Sequence, residues 1–139
     1  MTPHKFFPLV QDRVTAVVSP QVKVLVGEDP ESFTVGYVII WPSPGAALDD
    51  RTIDGRMGAE ATDLSFQVTA ASHQSVNLLR ILQDVNTALT DARVGGRLIR
   101  PDTITNRAVT PLQDDTLRPV RHYMATTWQT TLTRSTTNA

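Results

Sequence analysis

The chain contains no cysteine, which excludes disulfides, thiolate nucleophiles and zinc sites built on cysteine. No apolar run approaches the roughly 20 residues that a membrane-spanning helix needs. The first residues also lack the apolar core and small-residue cleavage site of a signal peptide. We therefore expect no membrane partner, and a protein that acts in the compartment where it is made.

Residues that carry enzyme chemistry are also scarce. The three histidines, His4, His73 and His122, lie far apart and form no helical metal-binding pair. The stretch Asp50 to Gly55 imitates the start of a calcium loop, but Ala61 occupies the position that requires a bidentate glutamate. Nucleophile-elbow, phosphate-loop and dinucleotide motifs are missing. The sequence predicts no metal, no cofactor and no enzyme activity.

What is present indicates an ordinary folded domain. Apolar residues make up 40% and charged residues 19% of 139 residues, so we expect one domain over residues 1–139. Charge is uneven: residues 1–91 carry 6 basic and 11 acidic side chains, and residues 92–139 carry 7 arginines against 3 aspartates. If folding keeps these halves apart, opposite charges on different surfaces favour head-to-tail contact between copies. If folding mixes them, this argument fails.

The first half of the sequence predicts one helix and two strands. Apolar residues at spacings of three and four predict a helix that begins near Phe7 or Pro8 and ends before Ser19. Strands follow at Val22–Glu28 and in "YVIIWPSPG", Tyr37 to Gly45, whose apolar residues on both sides indicate burial of both faces. Two strands in succession suggest a hairpin.

The second half predicts a half-buried strand from Thr62 and then the clearest helix of the chain. Ser72 or Ser75 could cap this helix, and Gly95-Gly96 could end it. The apolar stripe of the helix comprises Val76, Leu78, Leu79, Ile81, Leu82, Val85 and Leu89. We expect Leu79, Leu82 and Phe66 to be buried between this helix and the sheet.

The remaining elements complete an α+β fold. A short strand is predicted around Leu98 and Ile99 or Ile104, then a turn-rich loop between Pro111 and Pro119, then a closing strand rich in threonine. Helices that bracket runs of strands indicate a mainly antiparallel sheet with two helices packed on one face.

Two charged stretches are the candidate contact surfaces. Residues 43–61 lack periodicity, and we expect contact with a partner to order them. Arginines cluster later in the chain, where they favour either salt bridges across a protein interface or binding to phosphate. Stacking aromatics are missing from that stretch, which argues against nucleic-acid binding. The candidate interface residues are Asp49, Asp50, Arg51, Asp54, Arg56, Arg93, Arg97 and Arg100, and Arg107 lies near the last three.

The order of these segments resembles the tail terminator proteins of long-tailed, siphovirus-type bacteriophages, particularly those of actinobacterial hosts. The resemblance spans nearly the whole chain, and its main pieces are "YVIIWPSPG", "ALTDARVGGR" and the final strand "RHYMATTWQTTLTR". It implies a structural virion protein that forms a homo-oligomer, a hexameric ring, on the tail tube, stops tube growth and offers a surface to a head-completion or connector protein. It also implies assembly in the host cytoplasm, a place at the head-proximal end of the tail, and DNA only as a molecule that passes through the ring.

Three alternatives remain open. Another head-to-tail connector or a tail-tube subunit would also be small and ring-forming, although tube proteins usually carry one helix, and this sequence predicts two. A nucleic-acid-binding module would show salt-dependent binding to DNA. A small enzyme of unrecognised type is the third.

Overall fold

The computed structural model of the chain describes residues 2–44, 46–47, 61–107, 110–116 and 119–133. Its elements in chain order are α1 (Pro3–Val17), β1 (Val22–Val26), β2 (Gly36–Trp41), β3 (Ala46–Ala47), β4 (Ala61–Ser72), α2 (Ser75–Leu89), β5 (Arg93–Val94), β6 (Arg97–Leu98), β7 (Arg100–Pro101), α3 (Thr103–Arg107), β8 (Leu112–Asp114) and β9 (Arg121–Thr133).

One sheet organises the fold, with strands in the order β1-β2-β4-β9-β7, while β3 pairs with β4 and β8 pairs with β9. Strands β5 and β6 form a separate two-stranded hairpin. Every pair in the main sheet is antiparallel except β1 and β2. Helices α1 and α2 contribute to one apolar core on a single face of this sheet. The predicted α+β class, with a mainly antiparallel sheet and two helices on one face, is confirmed.

The predicted hairpin between the first two strands is wrong, because β1 and β2 run parallel. Gly27 adopts a left-handed conformation, with φ of 72°, at the end of β1, and its amide donates to the Ile40 carbonyl at 2.9 Å. Residues 27–35 then return to the start of β2, where Phe33 stacks on His73 with ring centroids 4.2 Å apart. This return path, rather than the strand pattern, sets the parallel direction.

Strand β2 is covered on both faces, as its sequence predicts. Val38 and Ile40 point into the core under the helices, and Tyr37 and Ile39 pack in a smaller apolar cluster on the opposite face. All four side chains are at most 2% exposed. The strand is therefore a central, fully packed element of the sheet.

The core under the helices is built around aromatic side chains. The rings of Phe6 and Phe7 each meet Phe66 edge-on, with centroids 6.2 and 5.4 Å apart. Trp128 of β9 is 2% exposed, and its indole nitrogen donates to the Thr126 hydroxyl at 2.9 Å. Edge-to-face packing of this kind stabilises the core beyond simple burial of area.

Helix α1 begins earlier than the sequence pattern indicates. It starts at Pro3, so that Pro8 lies inside it. The amides of Lys5 and Phe6 donate to the Thr2 carbonyl, at 3.0 and 3.1 Å, and close the first turn. Burial of Phe6 and Phe7 holds this turn in place despite the hydrogen bond that a proline inside the helix cannot donate.

Helix α2 turns a different face to the sheet from the one predicted. Leu79 is 58% exposed and Val76 is 73% exposed, so the expectation that Leu79 is buried is wrong. Phe66 is buried as expected, and Leu82 is only partly buried at the margin of the core. The buried face consists of Leu78, Ile81, Val85, Ala88 and Leu89. The apolar stripe is so wide that either of two faces of α2 could be buried, and packing against β4 determines which face is.

The predicted ends of α2 also need correction. The N-cap residue is Gln74 rather than a serine, and the buried Ser72 hydroxyl instead donates to the Val35 carbonyl at 2.7 Å. At the other end, the helix finishes at Leu89, before Gly95 and Gly96. The left-handed residue that follows it is Asp91, with φ of 55°, rather than a glycine. The strand around Leu98 exists, whereas Ile104 belongs to α3.

Candidate interface

A short hairpin displays the arginines of the second half of the chain. Gly95 and Gly96, with φ of 57° and 78°, form its two-residue turn, so they connect β5 to β6 rather than end α2. Two residues with positive φ are what this kind of tight hairpin turn requires. The Thr130 hydroxyl of β9 donates to the Leu98 carbonyl at 2.7 Å and fixes the hairpin to the sheet.

Three predicted interface residues, Arg93, Arg97 and Arg100, come together at this hairpin. They line an open cleft of about 500 Å³ between the hairpin and β9, with Gln129 on its far wall. Arg93 and Arg100 are exposed and Arg97 is half-buried. We call these three residues the basic edge, because β7, which contains Arg100, is the last strand on this side of the sheet.

The basic edge holds little of its charge in internal ion pairs. Arg100 Nε lies 3.9 Å from Asp91 Oδ1, and both side chains are more than 65% exposed. Within the described ranges, Arg93 and Arg97 make no ion pair. An exposed ion pair at this distance contributes at most about 1 kcal/mol. The arginines are therefore available to an external partner.

The other predicted interface residues cannot be placed in the same way. Asp49, Asp50, Arg51, Asp54 and Arg56 lie outside the described residues, as does most of the stretch 43–61 that contains them. The described strand β3 pairs with β4, through Ala46 to Asp63 and Ala47 to Thr62. The interface role of the charged stretch remains a prediction.

A polar network on the sheet face opposite the helices was missed by the sequence analysis. Arg121 donates to the Tyr37 hydroxyl at 2.8 Å and to Asp114 Oδ2 at 3.0 Å. Its guanidinium carbon also lies 5.2 Å from the centroid of the Tyr123 ring. Tyr37 and Arg121 are 84 positions apart in the chain, so no local pattern in the sequence could have paired them.

The network shifts the pKa of each of its three members. Burial raises the pKa of Tyr37 above its ordinary value of 10.0, and contact with Arg121 only partly offsets this. Hydrogen bonds from Thr116 hold the pKa of Asp114 below its ordinary value, with help from Arg121. Burial alone would lower the pKa of Arg121, but its contacts with Tyr37 and Asp114 outweigh burial and raise it. The network fastens β8 and β9 to β2.

Apolar surface is exposed along α2 and beside it. Val76 and Leu79 face outward, and a groove of about 650 Å³ lies between α2, α3 and β9. Its apolar lining includes Leu82, Pro101 and Met124. This groove and the cleft at the basic edge are open surfaces on the sides of the domain.

The described residues include neither a metal-binding cluster nor a membrane-spanning helix. Across residues 2–44, 46–47, 61–107, 110–116 and 119–133, no three acidic or histidine side chains come close enough together to hold a metal ion. None of the helices in these ranges is both long and apolar enough to cross a membrane.

Comparison with known proteins yields fold matches alone. No family model and no curated protein matches the sequence. A chain from the virion of a native gene transfer agent particle aligns with 91% of this chain and 92% of its own length, with a TM-score of 0.61 and 14% sequence identity. A second solved chain aligns over the same shares, 91% and 92%, with a TM-score of 0.50 and 14% identity. At this identity the likeness shows a shared fold.

Proposed function

We propose that this chain is a structural protein of a phage-type virion, and that it caps the tail tube as a six-membered ring. In this role it ends tail elongation and provides the surface on which the head is joined. The observation that carries the proposal is the fold match, over 91% of the chain, to a chain from a gene transfer agent virion. The resemblance of the sequence to tail terminator proteins supplies the specific role.

The packing of the sheet suits a subunit that must keep its shape within a ring. Val38 and Ile40 on one face of β2, and Tyr37 and Ile39 on the other, leave the central strand no free face. Strand β9 pairs with β4 along twelve residues, from Ala61 opposite Thr133 to Ser72 opposite His122, and these two long strands form the frame of the sheet. Contacts to neighbours must therefore come from edges, loops and the exposed side of α2.

The proposed partners follow from the position at the tube end. A ring of this chain would contact tail tube protein on one side and a head-completion or connector protein on the other, with DNA passing through its lumen. We assign the charged stretch around Asp49 to Arg56 to one of these contacts or to a neighbouring copy. Mixed charges at close spacing contribute more to specificity than to raw affinity.

Tail length in particles assembled without this chain tests the proposal. We expect tails of uncontrolled length, or finished tails that fail to join heads, and we expect the parent chain supplied in trans to restore normal particles. A chain in which Ala47 to Gly58 is replaced by a short Gly-Ser link should remain soluble and folded, because loop closure depends only weakly on length. That shortened chain should not restore normal tails.

The same experiment separates the alternatives. Tails of normal length that lack heads would indicate a connector, and complete absence of tails would indicate a tube subunit. Normal infectious particles without the chain would overturn the virion role altogether. Normal particles with the shortened chain would overturn only the role of the charged stretch.

A further inference from the structure

The two outer edges of the sheet carry opposite charge. The basic edge lies beside β7, and Glu28, Asp29 and Glu31 lie in the return segment 27–35 that follows β1, the strand at the other end of the sheet. All three acidic side chains are exposed. Within the described part of the chain they make no ion pair. We call these three residues the acidic edge.

The two charged edges are too far apart to neutralise each other within one molecule. Four inter-strand gaps separate β1 from β7, which is about 19 Å at the usual spacing of strands. A separation of this size exceeds the screening length of about 10 Å at 0.1 M salt. Local opposite charges offset each edge only in part, because Lys23, which donates to the Ser32 carbonyl, is one cation near three carboxylates, and Asp91 is one anion near three arginines. Each edge therefore keeps a net charge of its own sign.

Glu28 of the acidic edge and Arg100 of the basic edge lie toward the same end of the sheet. Strands β1, β2 and β9 run in one direction, and Glu28 follows β1 where Gly27 meets Pro42, just beyond the end of β2. Arg100 pairs with Gln129 near the corresponding end of β9. The return segment then runs back along β1 on the side away from the helices, where Phe33 packs on Tyr37 near the start of β2. The hairpin that holds Arg93 and Arg97 packs through Val94 into the core under the helices.

Both edges are poorly suited to main-chain pairing with a neighbour. The Gln11 side-chain amide donates to the Val24 carbonyl of β1 at 2.9 Å and occupies one acceptor of that edge. Strand β7 is only two residues long, and one of them is Pro101. Short edge strands, proline and charged side chains all oppose the addition of a further strand. Side-chain charge is what remains for recognition.

We propose that the basic edge of one copy of this chain binds the acidic edge of the next copy, head to tail. Complementary patches on opposite sides of one subunit make a heterologous contact, which closes into a ring when the rotation per subunit permits. This interface rests on the ring in the proposed function and names the residues that would join its subunits. Three arginines opposite three carboxylates would fix the register between neighbours.

Charge reversal with rescue tests this interface. Arg93→Glu with Arg97→Glu should lower self-association of the chain at low salt by at least about tenfold, and Glu28→Lys with Glu31→Lys should do the same. A chain that carries all four changes should associate again, because its edges are complementary once more with the signs exchanged. The matched control is Lys5→Glu on α1, which should have no effect. Sedimentation at low and high salt measures all of these.

Disulfide crosslinking between two introduced cysteines gives a second test of the interface. The chain has no native cysteine, so every disulfide must come from the introduced pair. Under mild oxidation, a chain with both Glu28→Cys and Arg97→Cys should form a ladder of covalent oligomers, whereas each single variant can form only a dimer. The control pair Lys5→Cys and Arg80→Cys lies on the helices and should form no ladder. Absence of a ladder from the edge pair, or failure of the fourfold variant to regain association, would overturn the interface.

The outcomes also separate this interface from the capping role. Rings on tube ends made by chains with one reversed edge would overturn the interface and leave the capping role intact. Ladders from a chain that never binds tube ends would support the interface and overturn the capping role. Binding of duplex DNA that is lost in Arg93→Glu with Arg97→Glu, together with no ladder, would assign the basic edge to phosphate and overturn the interface.

Discussion

The two faces of the sheet are packed in different ways. The face under α1 and α2 is dry and apolar, and it contains Phe66 and Trp128, each 2% exposed. The opposite face holds a small cluster around Tyr37 and Ile39, tied by Arg121 to β8 and β9. The helix-covered face holds the larger apolar core, and contacts with partners are left to the edges of the sheet, the loops and the exposed side of α2.

Two adjacent leucines of α2 give the largest expected contrast between core and surface. Leu78 is fully buried, and Leu79 is 58% exposed. Leu78→Ala should lower the free energy of unfolding by about 2 to 5 kcal/mol through lost burial and a cavity. Leu79→Ala should change it by less than about 0.5 kcal/mol. Urea denaturation measures both, and equal losses would contradict the assigned helix face.

Gly36 tests how closely β2, β4 and α2 approach each other. A Cβ atom at this position would lie 2.5 Å from the Ala71 carbonyl oxygen and 2.6 Å from Ile81 Cδ1. Gly36→Ala should therefore cost about 1 to 3 kcal/mol through overpacking. Adding Ile81→Val removes one of the two clashes, so the double variant should cost less than the two single losses added together. Strict additivity would contradict the close approach.

The hydroxyl of Tyr37 tests the opposite face. Tyr37→Phe removes the 2.8 Å hydrogen bond from Arg121 and should cost about 1 to 2 kcal/mol near neutral pH. The pKa of Tyr37 is raised in the folded state, so the unfolded chain loses this proton first as pH rises. The stabilisation that Tyr37 contributes is complete below its pKa in the unfolded chain. It declines as the pH rises through its pKa in the folded chain.

The free energy of unfolding as a function of pH, followed above pH 10.0, the ordinary pKa of tyrosine, measures this effect. The parent chain should lose stability with rising pH more steeply than Tyr37→Phe, so the two curves should converge. Parallel curves would show that burial of Tyr37 does not favour its neutral form.

Arg100 should give the smallest effect on stability. Its ion pair with Asp91 spans 3.9 Å between side chains that are 66% and 71% exposed. Arg100→Ala should change the free energy of unfolding by less than about 0.5 kcal/mol. A loss near that of Leu78→Ala would mean that the basic edge is part of the folded core rather than a surface for partners.

The sequence predicted the features that depend on local pattern. Alternation in the strand from Thr62 correctly indicated one buried face, which holds Phe66, and the apolar run in β2 correctly indicated two covered faces. The sequence also grouped Arg93, Arg97 and Arg100 correctly, because a hairpin keeps residues that are near in the chain near in space.

The features that were missed depend on distant partners. The parallel direction of β2 depends on the path of residues 27–35, which strand periodicity does not encode. The choice between Leu78 and Leu79 depends on how α2 is rotated against the sheet. The Gly95-Gly96 pair fits a helix end or a hairpin turn equally well until β5 and β6 are seen to pair.

Electron microscopy of the purified chain, alone and mixed with assembled tube protein of the same particle, tests the central claim most directly. The account predicts closed six-membered rings at one end of each tube, and no further tube growth from capped ends. Binding along the length of the tubes, or tubes that continue to grow at ends that carry this chain, would contradict it.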